Sequence, residues 1–254
     1  MKLSIILPTI RNEKLENVYK SILKSYSEEF ELIIISPYEL PIFFKERSNV
    51  KYFQDWGSPV RCQQIGLVNA SGEYIHRAVD DSTYLDKTLD SAMKKITSLS
   101  IPSAANLKFI EGEAYTHRDM ADPEFYFIRH HMQAIKLYTP FHFQVMNFSI
   151  IPRTVMKTLG GWDCKYETIA LAELDLSLRL QFLGIRVFQS DNIALKCEWM
   201  PGDQGDHAPL HYAFDSDMKI YSEQYSVPEC ELGVSIDIDN WKNVPERWER
   251  RFGK

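Results

Sequence analysis

The stretch ASGEYIHRAVDDS, residues 70–82, runs from a helix stop at Ser71-Gly72 through the apolar segment Tyr74 to Val79 into the paired carboxylates of Asp80 and Asp81. An apolar run of this length, bounded by turn residues, reads as a buried strand of an α/β sheet. Open α/β sheets bind their ligands in the crevice beyond the carboxyl ends of the strands. Two adjacent acids there suit a divalent cation held against phosphate oxygens. Hard cations take oxygen ligands, and a phosphate-bound Mg²⁺ uses only one or two protein carboxylates. The same dipeptide is also ordinary turn and helix-cap chemistry. The surrounding sequence carries the weight.

Outward from this stretch the chain alternates. Leu3 to Leu7 is a short apolar strand closed by Pro8-Thr9 and a polar loop from Ile10 to Glu13. Leu15, Val18, Tyr19, Ile22, Leu23 and Tyr26 follow the spacing of an amphipathic helix. Glu31 to Ser36 is a continuously apolar strand, the mark of a parallel sheet covered by helices on both faces. Val50 to Phe53 is a third strand, and Pro59 opens a helix to about Asn69. The first 80 residues therefore read β-α-β-β-α-β, the front half of a nucleotide-binding α/β domain. Beyond them come a helix over about 85–99 and an irregular, aromatic-rich segment over 111–147. A strand over 146–151, helices over 153–159 and 170–183, and strands over 185–189 and 193–199 complete the pattern. No linker divides the chain. The expectation is one domain over residues 1–226, in two halves that meet at about 100, the first of them nucleotide-binding. A C-terminal tail covers 227–254.

Composition narrows the function. A net charge of -6 without a basic block argues against nucleic-acid binding, which needs a positive footprint. Cys62, Cys164, Cys197 and Cys230 are scattered without zinc spacing and read as thiols in a reducing compartment. Leu3 to Leu7 is too short for the apolar core of a signal peptide, and no stretch approaches the ~20 apolar residues of a membrane span. A cytoplasmic protein is expected, at most peripheral at the inner face of the membrane. Trp241, Trp248 and Phe252 among Arg247, Arg250, Arg251 and Lys254 could make that contact, or pack a single Trp onto the body.

Four matches in order give the chain a family likeness: SIILPTIRNE at 4–13, GLVNASGEYIHRAVDDSTYLDKTL at 66–89, Gly-Gly-Trp-Asp at 160–163, and AELDLSLRLQFLG at 172–184. Together they resemble an inverting nucleotide-sugar glycosyltransferase of the GT-A type, most like the large family 2, over roughly residues 3–200. The resemblance implies an α/β fold with a GT-A type Rossmann-like domain, a mostly parallel central sheet and helices on both faces. It also implies a nucleoside-diphosphate sugar donor, a saccharide or lipid-linked saccharide acceptor, and a divalent cation, Mn²⁺ or Mg²⁺.

Carried over residue by residue, the family's acidic metal motif falls on Val79, Asp80 and Asp81, so the leading carboxylate is absent here. Asp81 is then the metal ligand, and Asp80 touches the ribose or nucleotide or shares the metal. The family's catalytic Asp falls on Glu173. Inversion needs a carboxylate to take the acceptor hydroxyl proton within ~2.6–3.2 Å. A helix beginning near Glu173 would favour its charge and keep its pKa low. Asp175 pairs structurally with Arg179 at i+4. Pro8, Thr9, Arg11 and Glu13 lie where the family contacts base and ribose. The acid that often follows the second strand is missing, with Ser36-Pro37 in its place. Gln63-Gln64 stand where an Arg-Asn pair is common, so either the donor is not a uridine nucleotide or the base is held differently, and Arg61 reads as a basic contact to the nucleotide or as a surface arginine. His207, in the loop PGDQGDHAPLH, is the candidate to complete the metal site, with His211 second. His117, His130, His131 and His142 have no ligand spacing.

Two other readings share parts of this pattern. A nucleotidyltransferase would want a Gly-rich phosphate loop after the first strand, and PTIRNE has no glycine. A non-catalytic sugar-nucleotide-binding protein is suggested by Val79 and the missing base-binding acid, while Glu173 and Asp81 count against it.

Overall fold

A computed structural model describes residues 2–111, 144–198, 208–225 and 233–244, with main chain only at 111 and 208–212. Among them eight strands form one sheet: β1 (Leu3–Pro8), β2 (Phe30–Ser36), β3 (Val50–Gln54), β4 (Tyr74–Arg77), β5 (Ser82–Tyr84), β6 (Ser103–Glu111), β7 (Ser149–Pro152) and β8 (Arg186–Cys197). The order is β3-β2-β1-β4-β7-β6-β8-β5. Strands β3, β2, β1 and β4 are parallel, with Ile6 beside Ile33 and Arg77, so their carboxyl ends share one edge. β7 runs antiparallel between β4 and β6, and β6 and β8 are parallel to each other.

The helices are α1 (Leu15–Ser25), α2 (Pro59–Val68), α3 (Thr88–Ser98), α4 (Arg153–Leu159), α5 (Ile169–Phe182), α6 (Ala208–Gln224) and the short α7 (Asn240–Asn243). Side chains alternate across a strand, and the sheet is buried on both faces. Ile6, Ile33 and Ile35 face α2, α4, α5 and α6, whereas Ile5, Leu7, Leu32 and Ile34 face α1 and α3. Every residue of β2 is buried, as a continuously apolar strand of a covered parallel sheet requires.

The sequence misplaces several boundaries. β4 ends at Arg77, two residues early, and Asp80-Asp81 lead directly into β5, which pairs antiparallel with the end of β8. β6 was not expected. The two late strands are one, because the turn-like Ser190-Asp191-Asn192 is carried as an irregularity. The Ser190 hydroxyl accepts from the Lys108 N–H at 2.9 Å and donates to the Asn192 carbonyl at 2.8 Å.

Gly233–Val244 lies across the body. The Ile236 N–H donates to the Leu159 carbonyl at 3.0 Å, Gln64 Nε2 to the Ile238 carbonyl at 2.8 Å, and the Cys164 N–H to Asn240 Oδ1 at 2.8 Å. Gly160 and Gly161 both have φ of +80°, and a Cβ at Gly160 would stand 1.9 Å from the Ile236 carbonyl oxygen. Glycine is needed there for conformation and for space.

Candidate active site

The carboxyl ends of β1 and β4 meet at Asp80. Thr9 Oγ1, just past β1, donates to Asp80 Oδ2 at 2.6 Å, and the Arg11 guanidinium is in close contact with Oδ1. The Arg11 N–H returns to Thr9 Oγ1 at 2.9 Å, which fixes the loop. Both Asp80 oxygens are thus engaged. Asp81 is looser: its Oδ2 lies 3.9 Å from Arg11 Nη2. Burial first, and then the neighbouring Asp80 charge, raise its pKa against the pull of Arg11 and Lys14. Burial and the Asp80 charge both work against an ionised Asp81, and a cation bound to it would relieve them. No group of three or more His, Cys, Asp or Glu able to hold an ion occurs among the described residues. A phosphate-bound Mg²⁺ needs only one or two carboxylates, so Asp81 fits as a ligand.

The second part of the site is Glu173. The structure corrects the sequence expectation here. α5 begins at Ile169, not near Glu173, so the carboxylate lies more than one turn inside the helix, 2 % exposed. The helix N-terminus is instead served by Asp217 of α6, whose Oδ2 accepts from the Glu167 and Thr168 N–H groups at 2.9 and 2.7 Å. Burial drives the Glu173 pKa up to about 7, while Arg77 and the Trp162 indole pull the other way. Trp162 Nε1 donates to Glu173 Oε1 at 3.2 Å, and Arg77 Nε makes an ion pair with the same oxygen at 3.3 Å. Among the described residues Glu173 Oε2 is buried without a hydrogen-bond partner.

Arg77 links the two parts. It is the last residue of β4, four positions before Asp81, and its Nη1 is held by the Asn147 carbonyl at 2.8 Å and Asn147 Oδ1 at 3.1 Å. Sequence reasoning missed Arg77 and gave Trp162 no role. The available signal was an arginine inside the apolar strand YIHRAV, since arginine is almost never fully buried unless paired. Gln64, where the resemblance wanted a different residue, has a structural task. Its Oε1 accepts from the Trp162 N–H and its Nε2 donates to the Gly160 carbonyl, each at 2.8 Å.

The remaining sequence candidates divide. Pro8 is half-buried at the end of β1 beside Thr9, and Glu13 is exposed in the following turn. Arg61 is paired with Asp55, its Nε 3.1 Å from Oδ1, and its Nη1 donates to the Trp241 carbonyl. Asp175 is structural: Arg179 Nε donates to its Oδ2 at 2.8 Å and the Tyr225 hydroxyl to its Oδ1 at 2.7 Å. His207 lies outside the described residues, as do residues 112–143, Trp248 and Phe252, and the side chain of His211 is likewise not described.

No family model matches the sequence, and no curated protein does. Solved structures of S. aureus TarS do match in fold. TarS 1-349 in complex with UDP superposes with a TM-score of 0.62 at 16% identity, over 91% of this chain and 68% of that one. The same TarS segment with UDP-GlcNAc gives 0.62 at 17% identity, over 91% and 69%. A longer TarS chain gives 0.58 at 16% identity, and only 41% of it is covered. The likeness defines the fold: a GT-A-like, Rossmann-like sheet with helices on both faces.

Proposed function

We propose that the chain is a glycosyltransferase that moves a sugar from a nucleoside-diphosphate sugar to an acceptor hydroxyl with inversion. One observation carries the reading. A buried carboxylate, Glu173, with one oxygen unpartnered among the described residues, is ion-paired to Arg77 on the strand that runs into Asp80 and Asp81. TarS, of similar fold, has been crystallised with UDP and with UDP-GlcNAc, which supports a nucleotide-sugar donor.

In this reading Glu173 is the general base. A carboxyl whose pKa burial raises to about 7 can take a proton near neutral pH without holding it too tightly. Thr9 and Arg11 fix Asp80 at the nucleotide, and Asp81 would hold a divalent cation, with His207 as a further candidate ligand. Such a cation, when bound, supplies neutralisation of charge on the departing diphosphate. The acceptor is a saccharide, free or lipid-linked.

Thermal shift with UDP, with and without Mn²⁺, and hydrolysis of UDP-GlcNAc test the reading. Stabilisation by UDP should depend on Mn²⁺ and vanish in Asp81→Ala. Full activity of Asp81→Ala in EDTA would remove the metal from the proposal. Binding of UDP with no hydrolysis or transfer would favour a non-catalytic sugar-nucleotide-binding protein.

A further inference from the structure

We propose that Arg77 is a positioning residue for the base: with Trp162 it holds Glu173 by Oε1 and leaves Oε2 as the oxygen that receives the acceptor's proton. The inference rests on the glycosyltransferase reading and deepens it. A carboxylate has two oxygens, and in Glu173 they are treated differently. Oε1 has the indole N–H at 3.2 Å and Arg77 Nε at 3.3 Å, the latter an ion pair without hydrogen-bond geometry, whereas Oε2 is buried with no hydrogen-bond partner among the described residues. Buried polar atoms almost always find a partner, and one that does not calls for an explanation. An oxygen kept free until an O–H group arrives supplies it. In the transfer step the acceptor O–H bond breaks and its proton passes to Oε2. The acceptor oxygen forms the new bond to the anomeric carbon, and the bond from that carbon to the diphosphate breaks with its electron pair on the leaving group.

Arg77 is built to stay in place. Its side chain is buried, Asn147 binds Nη1 through two oxygens, and its guanidinium lies 5.5 Å from the Phe148 ring centroid. It cannot swing out to follow a ligand without breaking these contacts. Its charge therefore acts on Glu173 as a fixed field that resists the rise in pKa caused by burial.

Of the charged and titratable groups on the surrounding elements, Arg77 is the one among the described residues that faces this carboxylate. His76, beside it on β4, is turned to the Ser149 carbonyl and the Tyr84 hydroxyl. Asp175 and Arg179 of α5 face each other, Asp163 is paired with Lys165, and Asp217 of α6 is spent on the start of α5. Removing Arg77 should consequently raise the Glu173 pKa. A structural role alone would not.

The test is titration of the Glu173 carboxyl by ¹³C NMR in wild type, Arg77→Met, Arg77→Lys and Trp162→Phe, with hydrolysis of UDP-GlcNAc followed over the same pH range. In Arg77→Met the titration and the acidic limb of the rate should both move up by about one pH unit or more, a ~10-fold loss of rate below the limb. That loss should recover at high pH. Arg77→Lys should bring both back to within a few tenths of a unit, and Trp162→Phe should move them less than Arg77→Met. An unmoved carboxyl titration in Arg77→Met overturns the proposal. If Arg77→Met does not fold, Arg77→Gln takes its place, and a carboxyl titration there that matches wild type overturns the proposal. A carboxyl that titrates as expected while Glu173→Gln keeps wild-type hydrolysis shows instead that Glu173 is not the base, and the functional reading falls separately.

Discussion

Glu173 and Asp175 stand two residues apart on one helix, both buried, and they are treated in opposite ways. Asp175 is saturated: Arg179 binds one oxygen, and the Tyr225 hydroxyl and Gln224 amide bind the other at 2.7 and 3.0 Å. Arg179 is itself saturated, its Nη1 and Nη2 donating to the Leu159 and Gly161 carbonyls at 3.0 and 2.8 Å. Glu173 has one oxygen bound and one bare among the described residues. A buried acid with every lone-pair direction filled is fixing the architecture. One left half-satisfied holds a reserve of unmet hydrogen bonding, which a fold tolerates where chemistry uses it.

The widest separation between the two should come from Asp175→Ala. The change leaves the Arg179 guanidinium, whose side chain is 1% exposed, without its counter-charge. Breaking such a pair from one side costs ~3–5 kcal/mol. For a chain of this length the melting temperature should fall by roughly 6–20 °C. Thermal unfolding checks it, and a folded variant that loses less than ~1 kcal/mol would erase the contrast.

Glu173→Gln should do the reverse. Turnover should fall by roughly 10²–10⁴, while stability above neutral pH holds or rises. The sign follows from linkage. The folded pKa of Glu173 is about 7 against an ordinary 4.5, so the native state binds the extra proton between those values. Its contribution is greatest below 4.5 and is lost as pH rises through 7, up to ~3 kcal/mol. His76 runs the other way: burial lowers its pKa from 6.5 to about 4, so it gains stability as pH rises through that window. Denaturant unfolding of variant and wild type at pH 4.5 and pH 8 isolates the Glu173 part as the change in their difference. A constant difference would return Glu173 to the same class as Asp175.

The sequence showed one half of this contrast. AELDLSLRLQFLG carries helical spacing, a glycine stop and an i,i+4 acid–arginine pair, all local, so α5 and the Asp175–Arg179 pair were legible. The first four strands were legible for a similar reason, as short apolar runs bounded by turn residues. Glu173 was located through its neighbours, but its environment was misread. Its desolvation depends on packing against β4 and on where α5 begins, and Asp217 from another helix occupies the position at the N-terminus. The grip of Thr9 on Asp80 spans 71 residues and leaves no local trace. β5 is three residues long, and β6, Ser-Ala-Ala-Asn-Leu-Lys-Phe-Ile-Glu, has little strand character of its own until β8 lies beside it.

The smallest test compares the removal of one donor from each acid. Tyr225→Phe takes the hydroxyl from Asp175 Oδ1 and leaves no cavity, and Gln224 remains as a second donor to that oxygen. A hydrogen bond to a charged group contributes ~1.5–3 kcal/mol. With a donor still present the loss should fall near the lower bound, about 1–2 kcal/mol, read as a drop of a few degrees in melting temperature with unchanged turnover. Trp162→Phe takes the N–H from Glu173 Oε1, where Arg77 remains. Its effect should appear chiefly in the acidic limb of the rate. The indole favours the charged carboxylate, and the charged carboxylate is the form burial already disfavours. If both variants lose only stability, the two acids serve the same purpose and the base lies elsewhere. If Tyr225→Phe moves the melting temperature and Trp162→Phe moves the pH profile, the contrast between a filled and a half-filled carboxylate holds at the level of a single hydrogen bond.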